Sequence, residues 1–163
     1  MDIRVARETD LPAILAIFNH AIATSISIWI DTPVTLKERE IWFASRRAEG
    51  FPVFVAVDNE VLGFGSFGVF RPYEGFRNTV EHSVYVSEKS RGLGVGRALL
   101  TTLIERARAD GKRVIVGAVD SRNEASLALH RSLGFVETGR MPRLGEKWGQ
   151  LLDMVLFQKE LLE

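Results

Sequence analysis

Arg91-Gly92-Leu93-Gly94-Val95-Gly96-Arg97 is the stretch that decides the fold, because it joins two segments of different hydrophobic period. Before it, residues 78–86 alternate between polar and apolar side chains, which predicts a strand. After it, apolar residues recur every four positions until Gly111: Val95, Leu99, Leu103 and Ala107. That spacing predicts a helix, so the glycines form a turn between a strand and a helix.

The glycines of this turn leave backbone N–H groups unobstructed by Cβ atoms, so several of these groups can point at one anion. The N-terminus of the following helix adds a partial positive charge, and Arg91 and Arg97 add full charges. The turn therefore indicates a pyrophosphate cradle. A loop that needs glycine only for positive φ angles is the alternative.

Two familiar phosphate-binding loops fit this turn poorly. A Walker loop requires a lysine that is absent here, and a dinucleotide fingerprint would place its third glycine at the position of Arg97. Asp120 ends the next predicted strand at a distance suited to binding a ribose, but an Asp there also fits an ordinary turn. The dinucleotide interpretation is therefore the weaker one.

The rest of the chain mixes predicted strands and helices without strict alternation. We expect strands at 3–5, in a hairpin at 53–70, and at 114–118, 135–138 and 151–157, with helices after Pro12, at 35–49 and at 123–133. This order predicts an α/β or α+β fold with a mixed sheet. The length suits a single domain spanning 1–163.

Composition excludes several functional classes. The 21 basic and 21 acidic residues cancel, which argues against a nucleic-acid partner. The absence of cysteine excludes disulfides, thiolate metal sites and a cysteine nucleophile. Without an apolar run of 18 residues or an N-terminal signal region, we expect no membrane association and a cytoplasmic protein.

Two sets of motifs resemble a known enzyme family. Arg-Gly-x-Gly-x-Gly opening a helix, then a strand, Asn123-x-x-Ser126 and Leu133-Gly134-Phe135 resemble the acetyl-CoA site of the GNAT superfamily of N-acetyltransferases. Motifs at 18–20, 27–29, 42–46, 71–73, 79–85 and 145–149 are similar to the phosphinothricin and methionine sulfoximine (methionine sulfone) acetyltransferases. This resemblance covers nearly the whole chain. It implies a mixed, mostly antiparallel sheet with splayed strands, flanked by helices.

The resemblance also implies acetyl-CoA as a co-substrate and assigns residues to it by position. The backbone of Val84, Tyr85 and Val86 would contact the pantetheine arm where the strand splays from its neighbour. The turn would hold the pyrophosphate with Arg91, Gly92, Leu93, Gly94, Val95, Gly96 and Arg97. Asn123 would hydrogen-bond to the pantetheine arm, with a contribution from Ser126, although helix capping is an alternative role for Asn123.

The implied reaction needs a base, because the amine must lose a proton before it attacks a thioester. Glu81 fits, since it lies on the polar face of the strand that leads to the turn, where a partly dry cleft can raise a carboxyl pKa. The resemblance places Glu81, His82 and Ser83 at the substrate. Alternation turns His82 to the opposite face, where a hydrogen-bonded core histidine is the alternative.

The proton donor to the leaving thiolate is less clearly marked. Many members of the superfamily carry a Tyr four residues before the position of Gly134, and here that residue is His130. His130 is therefore the candidate general acid, with unaided departure of the thiolate as the alternative. No third ligand accompanies Glu81 and His82, so we expect no metal site.

Recognition of an amino-acid-like substrate needs a cation for its carboxylate. Arg71, in a turn with Pro72 and Tyr73, is the candidate clamp, because guanidinium binds carboxylates bidentately. Lys147 is a candidate for the anionic end of the substrate. Phe18, Ile28 and Trp29 would wall the side-chain pocket or belong to the core: both interpretations stay open. Gln150, Leu151 and Phe157 depart from the pattern of close relatives, which leaves the exact substrate open.

Three functions are consistent with these patterns. The first is transfer of acetyl from acetyl-CoA to the amino group of a small amino-acid analogue, by direct attack in a ternary complex. The second is a protein N-terminal acetyltransferase of the same superfamily, and the third is an acyl-CoA-binding module without catalysis. The family habit implies a homodimer, which the apolar strand at 151–157 could support.

Overall fold

The computed structural model describes residues 1–162, which build a seven-stranded sheet in the order β1-β2-β3-β4-β5-β7-β6. The strands are β1 (Asp2–Val5), β2 (Val53–Asp58), β3 (Glu60–Val69), β4 (Thr79–Val86), β5 (Val114–Asp120), β6 (Val136–Lys147) and β7 (Gln150–Glu160). The β4–β5 pair is parallel, and the other neighbouring pairs are antiparallel. The expected mixed, mostly antiparallel sheet is confirmed.

Within residues 1–162, four α-helices flank the sheet: α1 (Leu11–Thr24), α2 (Leu36–Ala48), α3 (Val95–Ala109) and α4 (Glu124–Ser132). The start of α2 is fixed by a capping box. The Thr35 hydroxyl accepts from the Glu38 N–H at 3.1 Å, and the Glu38 carboxylate accepts from the Thr35 N–H at 2.6 Å. None of the helices in residues 1–162 combines the length and the apolar character needed to traverse a bilayer.

The two faces of the sheet carry separate hydrophobic cores. The apolar stripe of α3, with Leu99 and Leu103 fully buried, packs with α4 on one face. On the other face, α1 and α2 pack through Ile14 and Phe43. Because side chains alternate along β4, Glu81, Ser83 and Tyr85 lie on the α1–α2 face, and Val80, His82, Val84 and Val86 lie on the α3–α4 face.

A gap opens between β4 and β5, as we expected from the splayed strands that the resemblance implied. Their pairing is limited to Thr79–Glu81 opposite Val114–Val116. Beyond Glu81, β4 pairs with β3 alone, while β5 continues to Asp120 paired with β7. The peptide groups that β4 and β5 turn toward one another past this point therefore face an opening in the sheet.

The C-terminal hairpin has its second strand, β7, inside the sheet. The strand predicted at 151–157 pairs with β5 on one side and with β6 on the other, so both of its edges are used within the chain. Leu152, Val155 and Phe157 are fully buried. This strand therefore offers no free edge to a second copy of the chain, and a homodimer stays a prediction.

Candidate functional site

The glycine turn presents free backbone N–H groups beside the N-terminus of α3. Gly92 and Gly94 adopt φ angles of +76° and +81°, and a Cβ atom at either would meet nothing within 4 Å. Within residues 1–162, the N–H groups from Gly92 to Arg97 donate no backbone hydrogen bond. Val95 is buried and anchors the turn, while Leu93 is exposed. The turn thus offers unobstructed N–H groups at the electropositive N-terminus of α3, an arrangement suited to an anion such as a phosphate.

Both arginines of the turn lie at its rim. Arg91 and Arg97 are exposed, and the guanidinium of Arg97 donates to the Ser132 hydroxyl at 2.7 Å. This bond ties the first turn of α3 to the last turn of α4. Two exposed arginines therefore flank the free N–H groups along the chain.

The backbone of β4 supplies polar groups to the gap. The Ser87 N–H donates to Leu62 on the β3 side at 2.8 Å, and the carbonyls of Ser83 and Tyr85 approach Gly65 and Gly63 of β3. By alternation, the peptide groups of Val84 and Val86 point the other way, into the gap.

Tyr85 departs from the expectation that its backbone faces the co-substrate. Its peptide group is directed at β3, and its ring packs against Phe18 and Phe64 at centroid distances of 5.4 and 5.3 Å. The predicted backbone contacts from β4 therefore reduce to Val84 and Val86, and Tyr85 contributes a wall on the α1–α2 face.

Asn123 caps α4 at the far side of the gap. Its side-chain oxygen accepts from the Ser126 N–H at 3.2 Å, so the capping role is present. The amide nitrogen of Asn123 donates no hydrogen bond within residues 1–162 and is available to a ligand. The Ser126 hydroxyl lies 3.5 Å from His130 Nδ1, at the limit of hydrogen bonding.

Glu81 is a half-buried carboxylate at the last paired residue of β4, beside the start of the gap. Burial raises its pKa above the ordinary value, and the nearby positive charge of Arg71 opposes the shift. A carboxylate with a raised pKa at the edge of a cleft is suited to accept a proton near neutral pH. Among the expected catalytic residues, Glu81 is the one that the geometry favours.

His82 and His130 form a buried pair on the opposite face. Their Nε2 atoms are 3.0 Å apart, and His130 Nδ1 lies 2.7 Å from the Ser126 carbonyl oxygen. Because a carbonyl only accepts, Nδ1 of His130 carries the proton, and in the neutral pair His82 Nε2–H donates to the bare Nε2 of His130. A Cβ at Gly117 would lie 2.6 and 2.7 Å from these two Nε2 atoms, so the absence of a side chain there makes room for the pair.

This pair corrects the expectation for His130. The residue is 4% exposed, and burial lowers its pKa, so it is neutral and its single N–H is committed to Ser126. No proton is left on His130 for a leaving thiolate. The core-histidine alternative for the His82 side chain is the one that the geometry supports.

Acid should destabilise the protein through His82. Burial, with the charge of His130 second, lowers the pKa of His82 from 6.5 to about 3. Between these values the unfolded chain binds a proton that the folded chain does not, so stability decreases as pH falls through this window. The Tm of the wild type should therefore decrease more steeply from pH 6.5 to 4 than that of His82→Gln, whose amide can still donate to His130. Equal slopes would contradict this, and His20→Gln, at an exposed histidine, is the control.

Lys147 is also corrected by the structure. It is 1% exposed, and its ammonium donates to the carbonyls of Ile22, Ser25 and Ile28, each at 2.7 Å. All three of its protons are used, so it holds the end of α1 and the following loop and does not face the substrate. The long-range pairing of β6 carries it there, which local sequence cannot indicate.

Arg71 lies in an exposed loop between β3 and β4, and its role as a carboxylate clamp stays a prediction. Arg71 is exposed, donates to the Phe70 carbonyl at 2.9 Å and lies over the Phe70 ring at 4.5 Å. Its charge acts on Glu81, as the opposed pKa shift indicates. Pro72 and Tyr73 are exposed in the same loop, and Ser83 lies on the Glu81 face of β4.

Sequence reasoning missed two arginines of α2. Arg39 and Arg46 are seven residues apart and therefore lie on one helix face, with Phe43 between them. Arg39 is buried, and the guanidinium of Arg46 occupies the space that a side chain at Gly68 would need. Gly68 is paired with Glu81, so Arg46 lies on the Glu81 face. The sequence did contain a signal, because Arg39 and Arg46 are spaced to lie on the same helix face as Phe43. From the sequence we predicted only a helix for this segment.

Comparison with known proteins identifies an acetyltransferase family and a close relative of that activity. The sequence model of the Acetyltransferase (GNAT) family matches residues 14–135. The L-methionine sulfoximine/L-methionine sulfone acetyltransferase of Pseudomonas aeruginosa is 52% identical over 161 residues, which cover 98% of this chain and 94% of that protein.

Solved structures agree with the family match. A ribosomal-protein-alanine N-acetyltransferase from Brucella melitensis has a TM-score of 0.97 at 47% identity, covering 99% of this chain and 100% of that one. The yncA protein of Salmonella typhimurium, solved with its cofactor acetyl-CoA, has a TM-score of 0.97 at 46% identity, covering 100% and 95%. The expected fold and family are confirmed. The chain therefore belongs to the acetyltransferase (GNAT) family and is an N-acetyltransferase.

Proposed function

We propose that this enzyme transfers acetyl from acetyl-CoA to the α-amino group of a small amino-acid analogue of the methionine sulfone, methionine sulfoximine or phosphinothricin type. The observation that carries the proposal is the half-buried Glu81, with its raised pKa, at the start of the β4–β5 gap. A relative sharing 52% of its residues is named for methionine sulfoximine and methionine sulfone.

The residues present fit acetyl-CoA as a co-substrate. The free N–H groups from Gly92 to Arg97 and the two rim arginines suit a diphosphate. The peptide groups of Val84 and Val86, with the Asn123 amide, border the gap and suit the amide-bearing arm. Acetyl-CoA, when bound, supplies an acetyl group activated as a thioester.

Glu81 accepts the proton that the substrate ammonium must lose, directly or through water. The N–H of Val84 or Val86 polarises the thioester carbonyl and stabilises the negative charge that develops there. Arg71 holds the α-carboxylate, which lies on the same carbon as the reacting amine and therefore close to Glu81.

The thiolate leaves without a proton from His130, since the N–H of that residue is bonded to Ser126. The chain contains no cysteine, so no acetyl-cysteine intermediate forms, and transfer is direct within a ternary complex.

Two alternatives give different experimental results. The name of the Brucella melitensis relative favours an acceptor at the N-terminus of a protein. A binding module without catalysis would use the glycine turn but would not need Glu81 or Arg71.

Release of free CoA from acetyl-CoA tests the proposal. We expect turnover with methionine sulfone, methionine sulfoximine or phosphinothricin, and little with peptides that carry a free N-terminal alanine. Higher kcat/KM on the peptides would favour the protein acetyltransferase. CoA binding by calorimetry without turnover on any amine would favour the binding module.

A further inference from the structure

Arg39 is a buried cation without a counterion. Its side chain lies on α2 with the residue 7% exposed, and no carboxylate within residues 1–162 forms an ion pair with it. Its buried Nε has no hydrogen-bond partner. Removing a charge from water is costly unless the charge is paired, so an unpaired buried guanidinium indicates a missing partner.

Other buried ionic groups of the protein do have partners. The Asp10 carboxylate binds Arg4 through two bonds of 2.8 and 2.9 Å, and the Lys147 ammonium is fully bonded. Within the described residues, Arg39 has no such partner, and neither has the half-buried Arg46 of the same helix, whose Nε is also unpartnered. Of these two arginines Arg39 is the more deeply buried. It lies on the same side of the sheet as Glu81, and its guanidinium donates no hydrogen bond within residues 1–162.

Aromatic rings hold this guanidinium in place. Its central carbon lies 4.0 Å from the centroid of Phe18 and 4.6 Å from that of Trp42. Rings stacked on the faces of a guanidinium stabilise its charge but leave its N–H groups, which point outward in the plane, free to bind an acceptor. The cation is therefore fixed in position and still able to bind oxygen atoms.

Tyr85 connects Arg39 to the reacting centre. Burial raises the pKa of Tyr85, while the charge of Arg39 lowers it and the charge of Glu81 raises it. The Tyr85 ring also packs at 5.4 Å against Phe18, the ring on which Arg39 stacks, and it lies on the face that Glu81, Ser83 and Tyr85 share. A ligand with its amine at Glu81 can extend past Ser83 and Tyr85 toward Arg39.

We propose that Arg39 binds the oxygen atoms of the substrate's side-chain head, and that it sets a preference for sulfone, sulfoximine or phosphinate over thioether. This inference rests on the proposed function. In the proposed function Arg71, whose charge opposes the rise that burial causes in the pKa of Glu81, takes the α-carboxylate, so the tetrahedral head is the part of the substrate left without a cation. Phe18, which stacks on Arg39, then belongs to the wall of the side-chain pocket.

Binding measured with and without the head oxygens tests the proposal. Methionine sulfone and methionine share every group except those two oxygens, and calorimetric titration in the presence of CoA gives a Kd for each. Arg39→Met should weaken binding of the sulfone by about 10–100-fold, the usual value of a charged hydrogen bond, and change methionine binding by less than about 3-fold. Arg39→Lys should retain part of the preference.

Arg46→Met is the matched control. Arg46 lies on the same helix face, and its Nε is also buried without a partner, but it covers Gly68 instead of the Phe18 ring. The sulfone-to-methionine Kd ratio should stay at the wild-type value in this variant. If Arg39→Met fails to fold, Arg39→Gln, which keeps N–H groups on a shorter and uncharged side chain, replaces it and should lose most of the preference.

The results that would contradict the role of Arg39 differ from the one that would contradict the proposed function. Equal weakening of sulfone and methionine by Arg39→Met would show a structural role and overturn the proposal, as would a wild type without preference. A larger effect on methionine than on its carboxyl amide would assign Arg39 to the carboxylate instead. If the wild type acetylates no amino-acid analogue, the proposed function itself fails.

Discussion

Replacing Glu81 with Gln is expected to lower kcat by about 10²–10⁴-fold, which is the usual contribution of a general base. The substitution preserves the shape and polarity of a half-buried side chain at the start of the gap, but the amide cannot accept a proton from the substrate ammonium. Because the binding of acetyl-CoA involves other residues, its KM should change little.

The dependence of rate on pH separates this role from a structural one. Burial raises the pKa of Glu81, so kcat/KM of the wild type should increase with pH as this carboxyl ionises. That limb should disappear in Glu81→Gln. Glu74→Gln removes an exposed carboxylate from a neighbouring segment and should keep the wild-type profile. An unchanged profile in Glu81→Gln would exclude Glu81 as the base.

Gly94→Val is expected to weaken acetyl-CoA binding by roughly 100-fold, the loss of about two charged hydrogen bonds to the diphosphate. Gly94 has φ +81° at the residue before α3, a conformation that a β-branched residue avoids. Relief of this strain rotates the peptide groups of the turn, so that its N–H groups no longer converge on one anion.

Gly111→Val is the matched control for that substitution. Gly111 follows the other end of α3 with φ +72° and equally open surroundings, so it suffers similar strain far from the turn. Calorimetric titration with CoA should give a wild-type Kd for Gly111→Val and a much weaker one for Gly94→Val. Equal affinities in the two variants would contradict the diphosphate cradle.

Local patterns were sufficient to predict much of the fold. The capping box of Thr35 and Glu38 fixed the start of α2, and the glycine turn fixed the junction of β4 and α3. Alternation along β4 placed Glu81 and His82 on opposite faces, as the structure has them. These features depend on residues close in sequence, whose spacing carries the information.

Contacts between distant segments could not be predicted in this way. Lys147 bonds to carbonyls more than a hundred positions earlier, and His82 meets His130 only because Gly117 of β5 leaves room. The sequence predicted a strand at 151–157 but not its neighbours, β5 and β6, between which it lies in the sheet. The burial of Arg39 could not be predicted either, because its sequence neighbours are charged and it is covered by Phe18 of another helix.

A crystal structure of the enzyme with CoA and methionine sulfone is the most direct measurement of how this site works. We expect the diphosphate over the N–H groups of residues 92–97, the thiol in the gap between β4 and β5, and the amine nitrogen within about 3 Å of the Glu81 carboxylate. The sulfone oxygens should contact Arg39. A diphosphate bound away from the glycine turn, or an amine on the side of the sheet opposite to Glu81, would contradict the assignment.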